Sequence, residues 1–124
     1  MTDDPFSSSY REARAKFLAA AEAAGLDVHA TPHPLLGSDG EALALDIVRD
    51  GPAEAEAMLV VSSACHGVEG HCGSGVQVAM LRDAAFRAAA QAAGVAVLHL
   101  HALNPYGFLW CRPVTQENVD LNPN

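Results

Sequence analysis

The stretch from Ser62 to Gly75 holds the residues best suited to chemistry. Within it, His66 and Glu69 place an imidazole and a carboxylate three residues apart, and on a tight loop both could reach one Zn²⁺ with room left for a third ligand and a water. The glycines in this stretch are expected to take positive φ and to fold the backbone closely around the ion. The spacing alone fits a polar loop with a capping glutamate equally well.

Cysteines flank the same loop and offer another metal site. Cys65 and Cys72 bracket His66 and His71, so four potential ligands lie within eight positions. No second pair follows at zinc-finger spacing, which favours free, buried cysteines over a local Cys/His zinc site. Together with Cys111 the cysteines are odd in number, and we expect reduced thiols.

A second group of histidines ends a predicted strand. Alternation over 95–100 puts His99 and His101 on one face, toward the carboxyl end of that strand. The loop of His66 follows the preceding parallel strand, and ligands of open parallel sheets collect outside the carboxyl ends of the strands. Both histidine groups are therefore expected at one edge of the sheet.

The elements that position these residues follow from pattern. Ser9 and Glu12 form a capping box that opens a helix, which Gly25 ends. We predict four strands, at 27–31, 42–49, 58–61 and 95–100. Pro32 and Pro34 end the first strand, and the second carries Leu43, Leu45 and Ile47 on one face. The third strand is a continuous apolar run, which predicts that it is covered on both faces. A long helix is predicted over 76–93, and its core face is expected to hold Val76, Met80, Ala84 and Ala88. Ser74 is expected to be the N-cap of this helix, with an anion-binding site at the helix start as the alternative. Residues 104–124 are predicted to form an extended loop. The strand–helix–strand order indicates a βαβ unit with parallel strands.

Composition excludes several classes of protein. The chain has 124 residues, 50% hydrophobic, with a formal charge of −8, which allows one domain with a real core. The negative charge argues against nucleic acid and against an anionic membrane as partners. No apolar run approaches the roughly 18 residues of a membrane helix, and the acidic N-terminus is unlike a signal peptide. We expect a cytoplasmic protein.

Two blocks of sequence resemble a known family. Residues 63–70 (SACHGVEG) look like the metal-binding loop of M14-type zinc carboxypeptidases, closest to the DUF2817 branch near the succinylglutamate desuccinylase and aspartoacylase group. The match is stronger for 101–108 (HALNPYGF), followed by Arg112 and by 117–122 (ENVDLN). The resemblance covers essentially the whole chain but only the first part of the family's domain. It implies an α/β, carboxypeptidase-like fold, mainly a parallel sheet flanked by helices, with residues 1–124 as the N-terminal part of one hydrolase domain.

The resemblance also implies roles for individual residues. His66 and Glu69 would be two of three zinc ligands, and Arg112 would polarise the scissile carbonyl and steady the oxyanion. Asn122 would bind the terminal carboxylate of the substrate, but Pro123 replaces the arginine that completes this grip in the family. The third ligand, a histidine, and the general-base glutamate come later in the family, with His71, His99 or His101 as conceivable substitute ligands.

The resemblance thus predicts a zinc-dependent hydrolase that cleaves an amide bond next to a carboxylate, in a small peptide or an acylated amino acid. We expect this chain alone to be truncated and weakly active or inactive. The alternatives are a non-catalytic interaction module that retains the fold, or a truncated gene product. Because the family's sheet has further strands, an exposed strand edge and self-association through it are also expected.

Overall fold

The chain folds around one four-stranded sheet flanked by helices, which confirms the α/β class. The computed structural model describes residues 4–112, 114–117 and 121. The elements in chain order are α1 (Tyr10–Ala23), β1 (His29–Leu36), β2 (Ala42–Asp50), β3 (Ala57–Ser62), a 3₁₀ turn (Gly67–Glu69), α2 (Gly70–Arg82), α3 (Ala84–Ala92), β4 (Val95–His101) and α4 (Pro105–Trp110). The strands lie in the order β1-β2-β4-β3.

The sheet is mixed rather than mainly parallel. β3 and β4 are parallel, as predicted from the βαβ unit, but β1 pairs antiparallel with β2, and β2 antiparallel with β4. The turn between β1 and β2 explains the first reversal: Gly37 N–H donates to the carbonyl of Glu41 at 2.8 Å, and Gly40 takes a φ of +75°. A tight turn of this kind joins antiparallel neighbours.

β1 is longer than predicted. The expected end of the strand at Pro32 is wrong, because pairing with β2 continues past it, with an irregular register between Pro32 and Leu36. Proline lacks an N–H to donate, so it is tolerated where one side of the strand has no neighbour. β1 lies at one edge of the sheet and meets that condition.

β3 forms the other edge and is exposed. The prediction that this strand is covered on both faces is wrong: Met58, Leu59 and Val60 are 49%, 45% and 54% exposed. An apolar run is typical of a strand inside a larger sheet, but within the described residues no element lies beyond β3. The exposed edge expected from the resemblance is therefore present.

α1 covers one face of the sheet and begins as predicted. The hydroxyl of Ser9 accepts from the N–H of Glu12, and Gly25, with a φ of +73°, follows the last turn. Phe17 packs with Val48 of β2 and Val78 of α2 in a buried cluster. In β2 the buried side chains include Ala44, Asp46 and Val48 as well as Leu43, whereas the predicted partners Leu45 and Ile47 are only half-buried.

The predicted helix over 76–93 is two helices. Asp83 interrupts it by accepting from the N–H of Phe86, so that it caps α3. The predicted core face is also wrong, because Val76 is exposed and α3 has no buried residue. α2 instead buries Gln77, Val78 and Leu81.

The segment after β4 is partly helical rather than extended. Asn104 caps α4 by accepting from the N–H of Gly107 at 2.9 Å, and Pro105 occupies the first helical position, where its missing N–H costs nothing. Among the described residues, no helix has both the length and the hydropathy that crossing a membrane requires.

Candidate functional site

The chain segments that follow β3 and β4 are hydrogen-bonded side by side. The N–H of Leu103 donates to the carbonyl of Ser63, and the N–H of Asn104 donates to that of Ala64, each at 2.9 Å. The hydroxyl of Ser63 also accepts from the N–H of Ala102 at 3.1 Å. Both segments leave the same edge of the sheet, as predicted, and they form one fixed platform there.

Two alanines in this platform have left-handed backbones. Ala64 has a φ of +56° and Ala102 a φ of +64°, and both are buried. A left-handed conformation costs a non-glycine residue about 1–2 kcal/mol, and such strain is concentrated at functional sites. The predicted positive φ at the loop glycines is wrong, since residues 67, 70, 73 and 75 have no φ in that region.

The loop glycines instead allow close packing. The N–H of Gly67 donates to the carbonyl of Arg112 at 3.0 Å, and a Cβ at Gly67 would lie 2.7 Å from that same oxygen. A Cβ at Gly70 would lie 2.9 Å from the Cβ of Ala64 and from the ring of Phe108. These contacts press the 3₁₀ turn and the start of α2 against α4, and they explain why a glycine-rich segment is helical from Gly67 onward.

His66 and Glu69 lie at the two ends of this turn. His66 Nδ1 is 3.7 Å from Glu69 Oε2; the His66 side chain is 23% exposed and that of Glu69 is 71% exposed. Two ligands of one tetrahedral zinc, each about 2.0–2.2 Å from it, are separated by about 3.3–3.6 Å. The observed 3.7 Å lies just above that range, so a small movement of the exposed Glu69 side chain would let the pair occupy two positions of a zinc site. Within the described parts of the chain, no three His, Cys, Asp or Glu side chains come close enough together to hold a metal.

The main chain of Arg112 is hydrogen-bonded to the turn that carries His66 and Glu69. Its N–H donates to the carbonyl of Gly107 at 2.9 Å while its carbonyl accepts from Gly67, and its guanidinium lies 5.8 Å from the ring centre of Tyr106. The structure therefore places Arg112 beside the loop of His66 and Glu69. Asn122, the other predicted substrate contact, lies outside the described residues.

His99 and His101 lie on the buried face beneath α1. His101 stacks on Phe17 with a centroid separation of 4.4 Å, and its Nε2 is 2.8 Å from the hydroxyl of Ser74. Burial, together with Arg14 and His99, lowers the pKa of His101 to about 3, and burial also lowers the pKa of His99. Both rings are thus neutral packing elements, and Ser74, predicted as an N-cap, is a buried residue inside α2 that pairs with His101.

The cysteines do not gather around His66. Cys65 is half-buried, whereas Cys72 and Cys111 are exposed, so the expectation of buried cysteines is wrong for Cys72. Cys111 Sγ is 3.9 Å from Nε2 of His71, whose ring meets the ring of Phe108 edge-on at 4.9 Å. His71 thus lies against α4, and the described residues contain no cluster of three ligands that would use it.

Sequence reasoning missed the aromatic surroundings of Arg112. Tyr106 and Trp110 are one helical turn apart on α4, and His33 of β1 stacks on Tyr106 at 6.0 Å. The signal that could have found them is Asn104-Pro105, which caps and opens a helix and so puts positions 106 and 110 on one face.

The fold resembles that of a solved structure, a "putative metallopeptidase" of Shewanella denitrificans. The TM-score is 0.67 at 19% identity, with 98% of this chain and 47% of that chain covered, so this chain spans about half the length of the Shewanella protein. Two further solved structures are less similar. An esterase of Mycobacterium marinum has a TM-score of 0.36 at 19% identity, with 73% of this chain and 26% of that chain covered. A glutaminyl cyclase of Porphyromonas gingivalis has a TM-score of 0.38 at 17% identity, with 84% of this chain and 48% of that chain covered.

Comparison of sequences leads to one family. No curated protein matches the chain. The family model described as "Protein of unknown function (DUF2817)" matches residues 6–124, which include the platform, the 3₁₀ turn and α4. The DUF2817 resemblance of the loop and of the block around Asn104 is confirmed, and the chain belongs to the DUF2817 family.

Proposed function

We propose that this chain supplies the metal-binding loop of a zinc-dependent hydrolase of the M14 metallocarboxypeptidase type, which cleaves an amide bond next to a carboxylate. The observation that carries the proposal is the 3.7 Å separation of His66 Nδ1 and Glu69 Oε2 on a loop whose main chain is bonded to Arg112. The family match over 6–124 and the metallopeptidase-like fold support it.

His66 and Glu69 would hold the ion, with the imidazole and the carboxylate as two of its ligands. Zinc bound in this way supplies a Lewis acid and lowers the pKa of a bound water. By the M14 resemblance, the third ligand and the general base belong to a part of the fold that this chain does not cover. We therefore expect the chain to bind zinc more weakly than a site with three protein ligands.

Arg112 would provide the positive charge of the site. A guanidinium binds a carboxylate or an oxyanion with charge-assisted hydrogen bonds, and preorganised groups of this kind make the largest catalytic contribution in many hydrolases. Its main chain is held at both N–H and C=O, so the side chain starts from a fixed point beside the turn. A peptide or an acylated amino acid with a free carboxylate is the substrate class that this charge suits.

Zinc affinity tests the proposal. Isothermal titration of the apoprotein with Zn²⁺ should show binding that His66→Ala and Glu69→Gln each weaken by tenfold or more, because each removes one ligand. His29→Ala is the matched control, since His29 lies in the exposed strand β1. No zinc binding to the wild type, or equal affinities in all four proteins, would refute the proposed site.

A second candidate function is that of an interaction module, favoured by the exposed β3 edge. β3 carries no charged residue and no proline and pairs in register with β4 over its whole length, whereas β1 carries two prolines and an irregular register. Unprotected apolar edges pair with other strands. We propose a second copy of this chain as the occupant, since two β3 edges related by a twofold axis can pair antiparallel.

A further inference from the structure

An imidazole faces a thiol where α2 packs against α4. Nε2 of His71, in the first turn of α2, is 3.9 Å from Sγ of Cys111, the residue that ends α4. Neither side chain belongs to the pair of zinc ligands proposed above. Thiolate and imidazole both bind metals, and they favour soft or borderline ions over Ca²⁺ and Mg²⁺. The two side chains therefore carry the donor atoms of a second metal site.

The His71 ring presents one nitrogen to the sulfur. Its Nδ1 is buried and has no hydrogen-bond partner among the described residues, and the ring meets that of Phe108 edge-on at 4.9 Å. Nε2 is thus the nitrogen that remains for a ligand, and it lies on the side of Cys111. A neutral imidazole binds a metal through one nitrogen while the other carries the proton. Because Nδ1 is unpaired in the first place, metal binding at Nε2 breaks no hydrogen bond of the ring.

The main chain holds Cys111 in position. The N–H of Cys111 donates to the carbonyl of Phe108 at 3.3 Å, and the N–H of the next residue donates to that of Gly107 at 2.9 Å. α2 is pressed against the same helix, since a Cβ at Gly70 would lie 2.9 Å from the ring of Phe108. The two donors thus come from segments that are fixed relative to each other. Cys111 is exposed, so an ion can reach its sulfur from solvent.

The separation of the two donor atoms fits one bridging ion. Bonds of about 2.3 Å to sulfur and about 2.0–2.1 Å to nitrogen place these atoms roughly 3.5–3.6 Å apart at a tetrahedral angle and roughly 4.3–4.4 Å apart on opposite sides of an ion. The observed 3.9 Å lies between the two values. It corresponds to an angle wider than the tetrahedral one, which suits an ion with two or three ligands.

We propose that His71 and Cys111 form a binding site for Cu(I). Thiolate is a soft ligand that selects Cu(I), and this filled-shell ion is stable with two or three ligands, whereas structural zinc sites have four. Among the residues that the structure describes, no third His, Cys, Asp or Glu completes a cluster at this pair. The thiol releases its proton to solvent when the ion binds, and no electron is transferred. The site is independent of the proposed hydrolase function, because the two share no ligand.

Copper affinity tests the site. The reduced apoprotein is titrated with Cu(I) in anaerobic buffer, in competition with a chromogenic Cu(I) chelator. Cys111→Ser and His71→Gln should each weaken binding about tenfold or more, because each removes one of two ligands. Since Cys111 is exposed, Cys111→Ser should fold like the wild type, and urea unfolding of the metal-free proteins checks this.

Two further variants distinguish this pair from other ligands. Cys72→Ser is the matched control, since it removes an exposed thiol one residue from His71. It should leave the Cu(I) affinity unchanged, and so should His66→Ala, which removes a proposed zinc ligand. Copper K-edge X-ray absorption should show sulfur and nitrogen ligands, with sulfur lost in Cys111→Ser. Absence of Cu(I) binding, equal affinities of the wild type and Cys111→Ser, or a tenfold loss in either Cys72→Ser or His66→Ala would overturn the site.

Discussion

The main-chain N–H of Gly67 donates a 3.0 Å hydrogen bond to the carbonyl oxygen of Arg112. This bond joins the turn that bears His66 and Glu69 to the segment that follows α4, across 45 residues of sequence. It couples the two blocks that carry the DUF2817 resemblance, so the geometry of each depends on the other.

Gly67→Ala should damage the proposed zinc site and the fold together. The new Cβ would overlap the carbonyl group of Gly107 and lie 2.7 Å from the carbonyl oxygen of Arg112, so backbone must move, at a cost of about 1–3 kcal/mol in the free energy of unfolding. Zinc affinity should fall tenfold or more, because the turn that aligns the two ligands is displaced. Urea unfolding and zinc titration measure the two effects.

Gly40→Ala is the control for that change. Gly40 has a φ of +75° but nothing within 4 Å of an added Cβ, so the variant should lose about 1 kcal/mol through backbone strain alone. Its zinc affinity should equal that of the wild type. A Gly67→Ala protein that binds zinc normally would show that the close packing at residue 67 does not position the ligands.

Buried histidines should make the protein acid-sensitive. Burial lowers the pKa of His101 to about 3 and also lowers the pKa of His99, so below pH 6.5 the unfolded chain binds more protons than the folded one. The stability that neutral His101 contributes is complete above about pH 6.5 and falls as the pH drops toward 3, by up to about 1.4 kcal/mol per pH unit. Burial of His99 acts in the same direction. His101→Gln, which cannot titrate but can still pair with Ser74, should flatten this slope in urea unfolding between pH 4 and 7. An unchanged slope would mean that His101 is not held neutral.

The buried ion pair of Arg14 with Asp46 should contribute far more to the free energy of unfolding than the exposed ion pair of Arg11 with Glu41. Asp46 is fully buried and accepts from Arg14 at 2.7 and 3.1 Å, so Arg14→Ala leaves a buried carboxylate without its cation and should cost about 3 kcal/mol. Arg11→Ala removes the exposed pair with Glu41 at 3.1 Å and should cost less than about 1 kcal/mol. Thermal unfolding of both variants decides this, and equal losses would contradict the ranking.

Self-association should depend on β3 and not on β1. Val60→Lys places a charge on the exposed β3 edge and should shift the chain toward monomer in sedimentation velocity at high concentration. Leu36→Lys makes the matched change on β1, where Leu36 is 62% exposed, and should leave the distribution unchanged. A wild type that is monomeric at every concentration, or equal effects of the two variants, would rule out pairing through β3.

Local signals in the sequence predicted those features that depend on neighbouring residues. Ser9 and Gly25 fix the ends of α1 through a hydroxyl cap and a left-handed φ, both of which are properties of a few adjacent residues. The parallel pairing of β3 and β4 follows likewise from the length of the crossover between them. These expectations are confirmed because nothing distant in the chain competes with them.

Features set by distant contacts could not be predicted in this way. Whether Gly67 serves flexibility or close approach depends on Arg112 and Gly107, which composition does not reveal. An apolar run such as that of β3 has the same sequence pattern whether or not another element covers the strand, so the pattern does not predict its exposure. The sequence thus indicated which residues could do chemistry, but not that two of its histidines, His99 and His101, are buried beneath α1.

Zinc K-edge X-ray absorption of the zinc-loaded chain identifies the atoms bound to the metal. We expect nitrogen and oxygen ligands at about 2.0–2.2 Å, with nitrogen lost in His66→Ala and no change in His29→Ala. Sulfur at about 2.3 Å would assign the metal to the cysteines instead, and a spectrum that His66→Ala leaves unaltered would contradict the proposed site.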